Sequence, residues 1–307
     1  AITGQLSGSA VEALRYETQI PSYETHMERN CLKSFELAKR LPNGHPRSTA
    51  LASAVAPKNS RPSWYRLGSS LTNAHIPPEA SRRLPISHYS MPPHVSMDLI
   101  TICPQLEGIT SRHDDDAQIK AAAERVIEEW AGDVVIFTDG SAVEGFRNGG
   151  SAAVIHMKLT DPPRSESVLK RGAAFTSSFE EECEALVSAL QWIKDNCDAR
   201  SRPLILTDSQ SICKALVGYD HSVDQLRHML ASCTCSIRLQ WIPGHSGISG
   251  NEEADQAANA ARLLTEDERP VSYKGIVPLI KKAIPDRACR PEEAHIQEIY
   301  SAYRRAK

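Results

Sequence analysis

The spacing of apolar residues divides the chain into zones of different structure. Residues 1–48 place apolar side chains among charged ones as helices do, with helix breakers at Pro21 and Pro42. Residues 49–117 are rich in proline, serine, histidine and arginine and show no sustained period, so we expect a poorly ordered proline-rich linker there. From residue 118 onward helical and strand patterns alternate, which predicts a folded domain.

The folded domain opens with a helix and three apolar runs. Apolar residues between Ile119 and Trp130 recur at helical spacing, and we interpret the Asp114-Asp115-Asp116 run before them as a solvated stretch or helix start rather than a metal site. Short polar turns join the runs, which predicts an antiparallel meander of three strands. These strands cover residues 134–137, 151–157 and 168–175.

The second half of the domain alternates helices with strands. We predict a helix over Ser178–Asn196, opened by a capping box of Ser178 and Glu181. A strand over residues 204–206 follows that helix and should therefore lie parallel to the first strand. Further elements are helices after Asp208, over residues 223–232 and from Asn251 to about residue 264, with a fifth strand over residues 237–242.

The order βββαβαβα predicts an α/β fold with a mixed five-stranded sheet, whose first three strands are antiparallel and whose helices cover both faces. We assign it to residues 118–265 with the leading helix. Residues 266–307 form a charged C-terminal tail. One short amphipathic helix fits in that tail, broken at prolines, with apolar positions Val277, Leu279, Ile280 and Ile284 and breakers Pro278 and Pro285.

Composition narrows the classes of function. A net charge of -3 excludes a protein that binds nucleic acid through bulk charge, so any such contact must be local or shared with a partner domain. The eight cysteines follow no secretory signal, and Cys233 and Cys235 are too close for usual zinc spacing. We therefore expect reduced thiols in an intracellular protein of the cytoplasm or nucleus, without a membrane span.

Acidic residues occupy the ends of strands and the first turns of helices in this arrangement. Asp139 follows the first strand and Asp208 the fourth, so adjacent parallel strands would bring both carboxylates to the edge where ligands bind in such sheets. Glu182 and Asp255 lie one turn into their helices. Each alone is more often a turn former, a cap or a partner of the helix dipole, which is how we interpret the neighbouring glutamates of the first helix.

As a set, however, four crowded carboxylates can stay ionised only if cations neutralise them. Ligands that offer only oxygen suit Mg²⁺ or Mn²⁺. Two such ions can hold the attacking and the leaving oxygens of a phosphodiester. The sequence therefore predicts a two-metal site for phosphodiester hydrolysis.

These motifs, in this order, resemble the type 1 ribonuclease H family over residues 133–264. The Trp-x-Pro-Gly-His loop in particular is similar to the ribonuclease H domains of reverse transcriptases. The matched segments are Thr138-Asp139-Gly140-Ser141, Glu182 with Ala185-Leu186 and Ala189-Leu190, Leu206-Thr207-Asp208-Ser209-Gln210, and Trp241-Ile242-Pro243-Gly244-His245-Ser246-Gly247 leading to Asn251-Glu252-Glu253-Ala254-Asp255.

The resemblance implies a ribonuclease-H-like fold and an endonuclease that cuts the RNA strand of an RNA–DNA hybrid with two Mg²⁺ ions, for which Mn²⁺ can substitute. In the family scheme Asp139 bridges both ions, and Asp255 completes the site of the ion that activates water. Glu182 and Asp208 hold the second ion, and Glu182 also senses a 2′-hydroxyl. His245 assists proton movement or product release. Candidate substrate contacts, for which a role in turns and caps is an equal alternative, are Gly140, Ser141, Ser177, Ser178 and Ser209.

Residues 1–48 are similar to the segment that follows the polymerase core in non-LTR (LINE-type) retrotransposon reverse transcriptases. The chain begins without an initiator Met, because something was removed or because it is a segment of a longer protein. It would be the C-terminal part of a polyprotein, with the upstream reverse transcriptase domain as its partner. The matched segments are Ala1-Ile2-Thr3-Gly4, Ala13-Leu14-Arg15-Tyr16-Glu17, Ile20-Pro21, Ala38-Lys39-Arg40-Leu41-Pro42 and His45-Pro46.

One departure from the family concerns substrate binding. Many relatives carry a basic protrusion between the fourth and fifth strands, whereas residues 216–236 are short here and contain Arg227 as their one strong base. The isolated domain should therefore bind hybrid weakly.

Two other functions stay open. One is a catalytically inert retroelement remnant that acts as a nucleic-acid-binding or interaction module, which the intact carboxylate set argues against. The other is a different nuclease of similar fold, such as a transposase or junction resolvase. The Gly-His loop and the Asn-Glu-x-x-Asp helix argue against that second alternative.

Overall fold

The computed structural model describes two compact units. One comprises Ala1–Ser81 with Val277–Lys307 and the other Arg82–Ile276. Predictions for residues 1–22 and 286–307 lie outside the described residues. In the part of the chain that is described, no helix has the length and apolar character needed to cross a membrane. The described residues are 23–52, 64–86, 96–109, 114–130, 132, 134–158, 162–218, 220–265 and 269–285.

The first unit is helical. Helices α1 (Tyr23–Ala38), α2 (Pro46–Ala52) and α3 (Trp64–His75) form it together with a short 3₁₀ turn, Pro78–Ser81. Glu36 of α1 is fully buried, and its carboxylate binds the Arg40 guanidinium at 2.6 Å and the Thr72 hydroxyl at 3.1 Å. Within residues 23–48, helices cover Tyr23–Ala38 and the part from Pro46 onward, and α1 ends before the predicted breaker Pro42.

The second unit is built on a mixed sheet. Strands β2, β3 and β4 form the predicted antiparallel meander, while β5, β6 and β1 continue the sheet in parallel from β2. The order across the sheet is β1-β6-β5-β2-β3-β4. The strands are β1 (Ile100–Cys103), β2 (Val134–Val143), β3 (Arg147–Met157), β4 (Arg164–Arg171), β5 (Leu204–Thr207) and β6 (Ile237–Trp241).

Helices surround this sheet and bury their apolar stripes against it. Leu186, Leu190 and Ile193 of α5 join the fully buried strand β5 in one core. The α/β fold class predicted from the sequence is confirmed. The helices are α4 (Asp116–Glu129), α5 (Ser178–Asn196), α6 (Gln210–Val217), α7 (Asp224–Ala231), α8 (Ser249–Ala261) and α9 (Tyr273–Ala283), whose residues from 277 onward belong to the other unit.

Two helix starts test the capping predictions. Asp115, within the aspartate run, is the N-cap of α4 and accepts a hydrogen bond from the Ala117 N–H, so the run is a helix start. Helix α5 has the predicted bounds, but its capping box is Ser177 with Glu180, one residue earlier than the predicted Ser178 with Glu181. Both pairs have the required spacing, and the chain direction entering the helix decides between them.

The sheet has six strands rather than the predicted five, because β1 comes from the segment interpreted as a linker. Residues Ile100–Cys103 pair with Ile237–Gln240 of β6. A hydrogen bond from β6 holds the chain just after β1, because Gln240 Nε2 donates to the Gln105 carbonyl at 2.8 Å. Leu106 beyond it is buried in the core. The linker boundary at residue 117 is therefore corrected, and α3 also falls within that segment.

The boundary at residue 266 needs a similar correction. Pro278 lies inside α9 and does not break it, although it removes one helical hydrogen bond. Apolar residues on both sides of the proline, Ile276 and Leu279, are buried and offset that loss within their own units. Residues 269–284 are thus structured parts of the two units rather than a charged tail.

The position of β1 predicts how much N-terminal truncation the sheet tolerates. A chain that starts at residue 114 should unfold at a lower temperature than one that starts at residue 96. The shorter fragment loses β1, the strand that pairs with β6. It also loses the buried side chains of Leu106 and Ile109, and each of these side chains contributes about 1.5–3 kcal/mol to stability. Circular dichroism melts of both fragments measure the difference. Equal melting temperatures would show that β1 contributes nothing to the sheet.

Candidate active site

The site lies where the parallel pairing of β2 and β5 ends. Thr138 is the last β2 residue paired with β5, opposite Thr207, so the next residues of the two strands, Asp139 and Asp208, emerge side by side. Strand β2 does not end at this point, since its antiparallel pairing with β3 continues to Val143. Asp139 therefore lies inside a strand rather than after one, and it is only 7% exposed.

Gly140 brings the third carboxylate to this edge. A Cβ atom at Gly140 would overlap the backbone nitrogen of Glu182, so the first turn of α5 lies directly on β2. This approach is possible only for glycine. One carboxylate oxygen each from Asp139, Glu182 and Asp208 then lie within 4.8 Å of one another. The structure brings these three predicted ligands together.

Crowding and burial strongly perturb the charges of the three carboxylates. Burial, with repulsion from Asp208 and Asp255 as the smaller causes, raises the pKa of Asp139 to about 7. Burial also raises the pKa of Glu182 well above its usual range, reinforced by Asp208 and Asp139. The Gly140 N–H opposes both shifts because it donates to the charged forms. Without cations, the site therefore favours protonated carboxyl groups.

The donor atoms fit divalent cations. Glu182 Oε2 and Asp208 Oδ1 are buried, and neither has a hydrogen-bond partner among the described residues. Buried acceptors are rarely left unpaired unless an ion or water satisfies them. All the converging side chains offer oxygen, the ligand that Mg²⁺ and Mn²⁺ prefer.

Asp255 stands beside this group rather than within it. It is not one of the described residues whose oxygens lie within 4.8 Å of one another, yet its charge raises the pKa values of Asp139 and Asp208. Asn259, one turn along α8, donates from Nδ2 to Asp255 Oδ1 at 3.1 Å. Ser141 of β2 donates in turn to Asn259 Oδ1 at 2.8 Å. These two hydrogen bonds orient the Asp255 carboxylate from the strand that carries Asp139.

The predicted catalytic histidine lies on a loop packed against Asp208. His245 is exposed and has a left-handed φ of 56°. The loop is held close to the carboxylate, because a Cβ on Gly244 would lie 2.6 Å from Asp208 Oδ2. Burial raises the pKa of Asp208, and the nearby His245 opposes that shift. Trp241 Nε1 also donates to the Asp208 carbonyl at 3.1 Å.

The residues predicted to contact substrate differ in their exposure and in the hydrogen bonds that they already make. Ser177 accepts from the Glu180 N–H at 3.2 Å as a helix cap, and the Ser141 hydroxyl is bound to Asn259. Ser178 is exposed, and the Ser209 hydroxyl contacts that of Ser211 at 3.1 Å. Gly140 is required for packing. Substrate contacts at these five positions stay predictions.

Two residues differ from their sequence interpretation. Arg227 is 4% exposed, and its guanidinium binds Asp224 at 2.5 Å and the carbonyls of Ala215 and Leu216 at 3.3 Å. It is a structural residue of α7 and is not available to bind a phosphate. Arg227, the one strong base between the fourth and fifth predicted strands, therefore does not contribute to substrate binding.

Glu181 is the residue that the sequence interpretation missed most clearly. It is fully buried, where a solvated or dipole-facing glutamate was expected. Burial raises its pKa to about 7, and the Arg269 guanidinium, which binds it, opposes the rise. A Cβ on Gly172 would lie 2.6 Å from its carboxylate. No local pattern could have found this pair, because the two residues are 88 positions apart.

Comparison with known proteins gives a consistent family. The family described as RNase H matches residues 131–262. The chain is 30% identical to the ribonuclease H of Jannaschia sp. strain CCS1 over 145 residues, which covers 42% of this chain and 90% of that protein. It is 29% identical to the ribonuclease H of Pectobacterium atrosepticum, covering 42% and 88% of the two chains.

Two solved ribonuclease H structures align with part of the chain. The N-terminal RNase H domain of a Mycobacterium tuberculosis protein superposes with a TM-score of 0.35 and 20% identity, covering 43% of this chain and 94% of that one. LC11-RNase H1, solved in complex with an RNA/DNA hybrid, has a TM-score of 0.35 and 18% identity, covering 41% and 94%.

The raised pKa of Asp139 predicts how removing its charge affects stability. Its folded pKa of about 7 exceeds the ordinary 3.8, so its favourable contribution is complete below pH 3.8 and is lost as the pH rises through 7. With EDTA present, Asp139→Asn should therefore be more stable than the unmodified chain at pH 8, by up to about 4 kcal/mol, and equal to it near pH 4. Denaturant titrations at both pH values measure this difference.

Asp198→Asn is the matched control. Hydrogen bonds, first that from the Arg200 N–H, lower the pKa of Asp198, so loss of its charge should not stabilise the protein at pH 8. If both variants gain the same stability, the effect reflects net charge and not the crowding around Asp139.

Proposed function

Because this chain belongs to the ribonuclease H family, we propose that its carboxylate edge hydrolyses the RNA strand of RNA–DNA hybrids as an endonuclease. The observation that carries this proposal is the convergence of Asp139, Glu182 and Asp208 within 4.8 Å. Two buried oxygens of that group have no partner among the described residues. Such an arrangement is costly for a fold unless cations occupy it.

Two Mg²⁺ ions, or two Mn²⁺ ions in their place, would bind at this edge. Asp139 would contribute to both ions, Glu182 and Asp208 to one, and Asp255 to the other. When bound, the two ions would stabilise the charge that develops on the attacking and leaving oxygens of the phosphodiester. The chain contributes the rigid placement of its ligands, through the β2–β5 register and the Gly140 contact.

The remaining residues supply proton transfer and selection. His245 is exposed on a loop packed against Asp208, so we assign its imidazole to proton movement or product release. A Glu182 oxygen that does not hold an ion can accept a hydrogen bond from a ribose 2′-hydroxyl, which DNA lacks. Asn259 keeps the Asp255 carboxylate oriented while substrate binds.

We also propose a biological setting, in which the chain is the C-terminal part of a non-LTR retrotransposon reverse transcriptase acting inside the cell. The similarity of residues 1–48 to the segment after such a polymerase supports it. An upstream polymerase holding the same hybrid would compensate for a nuclease domain of net acidic character.

Cleavage assays with labelled RNA–DNA hybrid, duplex RNA and duplex DNA test the proposed activity. We expect Mg²⁺-dependent cleavage of the RNA strand in the hybrid alone and complete loss of activity in EDTA. Glu182→Gln should lower kcat at least about 100-fold without unfolding the protein, because it removes a carboxylate from the ion site. Glu253→Gln, an exposed acid on the helix of Asp255, is the matched control and should retain activity.

Each departure from that result has a distinct meaning. Activity in excess EDTA, or full activity of Glu182→Gln, would contradict catalysis at this edge. Cleavage of duplex DNA would contradict hybrid specificity. Hybrid binding without any cleavage by the unmodified chain would support the inert interaction module instead.

The absence of an accessible Arg227 predicts weak substrate binding. Each phosphate contact adds about 0.9 to the slope of log affinity against log salt, so few contacts give a shallow slope and a high KM. Fusion to a hybrid-binding domain should lower the KM at least about 10-fold and leave kcat unchanged, since tethering adds local concentration without new contacts. Nanomolar affinity of the isolated chain at physiological salt would contradict this prediction.

A further inference from the structure

A segment beyond the family match returns to the nuclease unit. We call residues Arg269–Gly275 the strap. The RNase H match ends at residue 262, yet the strap belongs to the same unit as the sheet. Val271 is 1% exposed, its N–H donates to the Arg82 carbonyl at 2.7 Å, and its carbonyl accepts from the Leu84 N–H at 2.9 Å. The strap is therefore built into the domain.

Arg269 of the strap forms ion pairs with the first turns of α5. One Arg269 nitrogen donates to the fully buried Glu181 carboxylate, and the other lies 2.7 Å from Glu184 Oε1. The two glutamates are three positions apart and lie on either side of Glu182 in sequence. A guanidinium that binds two carboxylates one turn apart fixes the helix in rotation as well as position.

A second grip lies at the start of the same helix. Ser272 donates from Oγ to Glu180 Oε1, and the Gly275 N–H donates to Ser272 Oγ at 2.8 Å. Lys274 Nζ is 5.8 Å from the centroid of the Phe179 ring. Residues on both sides of Glu182 therefore contact the strap, while Glu182 itself faces Asp139 and Asp208.

Electrostatics explains why this turn needs a grip. Glutamates occupy positions 180, 181, 182 and 184, and their charges lie beside those of Asp139 and Asp208. Whenever these groups are ionised, like charges so close repel and would drive the turn away from β2. The close contact at Gly140 lies on the β2 side of the helix, so it does not hold the helix against movement away from β2. Arg269 supplies the positive charge that offsets this repulsion.

We propose that the strap positions Glu182, with Arg269 as a positioning residue that acts through Glu181 and Glu184. The functional nuclease then extends at least to residue 275. The metal-binding part of this inference rests on the proposed function, whereas the rigidity of the first turn of α5 does not. A role confined to global stability is the competing explanation, and the experiment separates the two.

The test uses the full chain and three variants. Arg269→Met removes the grip and leaves Glu181 buried without its partner. The double variant Glu181→Gln with Arg269→Met also lacks the Arg269 contacts, but it leaves no unpaired buried carboxylate at position 181. Arg227→Met breaks the ion pair with Asp224 on α7 and serves as a control that lowers stability away from the site. Melting temperature, Mn²⁺ affinity by calorimetry and hydrogen exchange of residues 178–186 are measured for each.

We expect Mn²⁺ binding to weaken about 10-fold in both Arg269 variants, the lower end of the effect of residues that orient metal ligands. The double variant should regain melting temperature but not Mn²⁺ affinity. Exchange of residues 178–186 should accelerate in these variants alone. With hybrid saturating, kcat should fall while the KM for hybrid stays constant. Arg227→Met should lower the melting temperature without changing Mn²⁺ affinity or local exchange.

The outcomes distinguish the two proposals. Unchanged exchange of residues 178–186 in Arg269→Met, or equal loss of Mn²⁺ affinity in Arg227→Met, would overturn the positioning role. Recovery of Mn²⁺ affinity in the double variant would also overturn it, because the grip is still missing there. If exchange accelerates as expected but the unmodified chain neither binds Mn²⁺ nor cleaves hybrid, the proposed function fails and the positioning role stands.

Discussion

Repulsion between carboxylates crowded at one edge of a sheet is the constraint on which the rest of this structure depends. Asp139 and Asp208 are brought together by the register of β2 with β5, and Gly140 admits Glu182. Each contact that makes the site also raises the free energy of the metal-free fold, as the raised pKa values record. The surrounding features, such as the Asn259 bridge to Asp255 and the Arg269 pair, hold in place groups that would otherwise move apart.

The sequence predicts the part of the fold that follows from local periodicity. The bounds of α5 and the positions of β5 and β6 could be predicted, because apolar spacing and strand-helix order determine them. Strand β2 runs six residues beyond its predicted end, and β4 covers Arg164–Arg171 rather than the predicted residues 168–175. Strand β1 could not be predicted, since four residues near several prolines have no period and their pairing depends on the open edge of β6, more than 130 residues away. The convergence of Asp139, Glu182 and Asp208 was predictable from topology. The burial of Glu181 was not, because it depends on Arg269 and two glycines from elsewhere in the chain.

Two arginines of the nuclease unit stabilise the fold through ion pairs inside the domain. Arg227 and Arg269 are both committed to internal acidic groups, on α7 and on α5. A chain of net charge -3 that directs such cations inward gains rigidity around its acidic edge and gives up affinity for polyanions. These two arginines therefore contribute to the rigidity of the fold and not to the binding of a polyanion.

Strand β1 has a consequence for how the chain is made. An exposed edge strand is a template on which other chains can add, and β6 would be such an edge without its parallel partner. Since β1 precedes β6 by well over a hundred residues, it has left the ribosome long before β6 appears. The vulnerable edge thus meets a partner from its own chain at once. The outermost strand on that side of the sheet is then β1, whose four residues offer a neighbouring chain little to pair with.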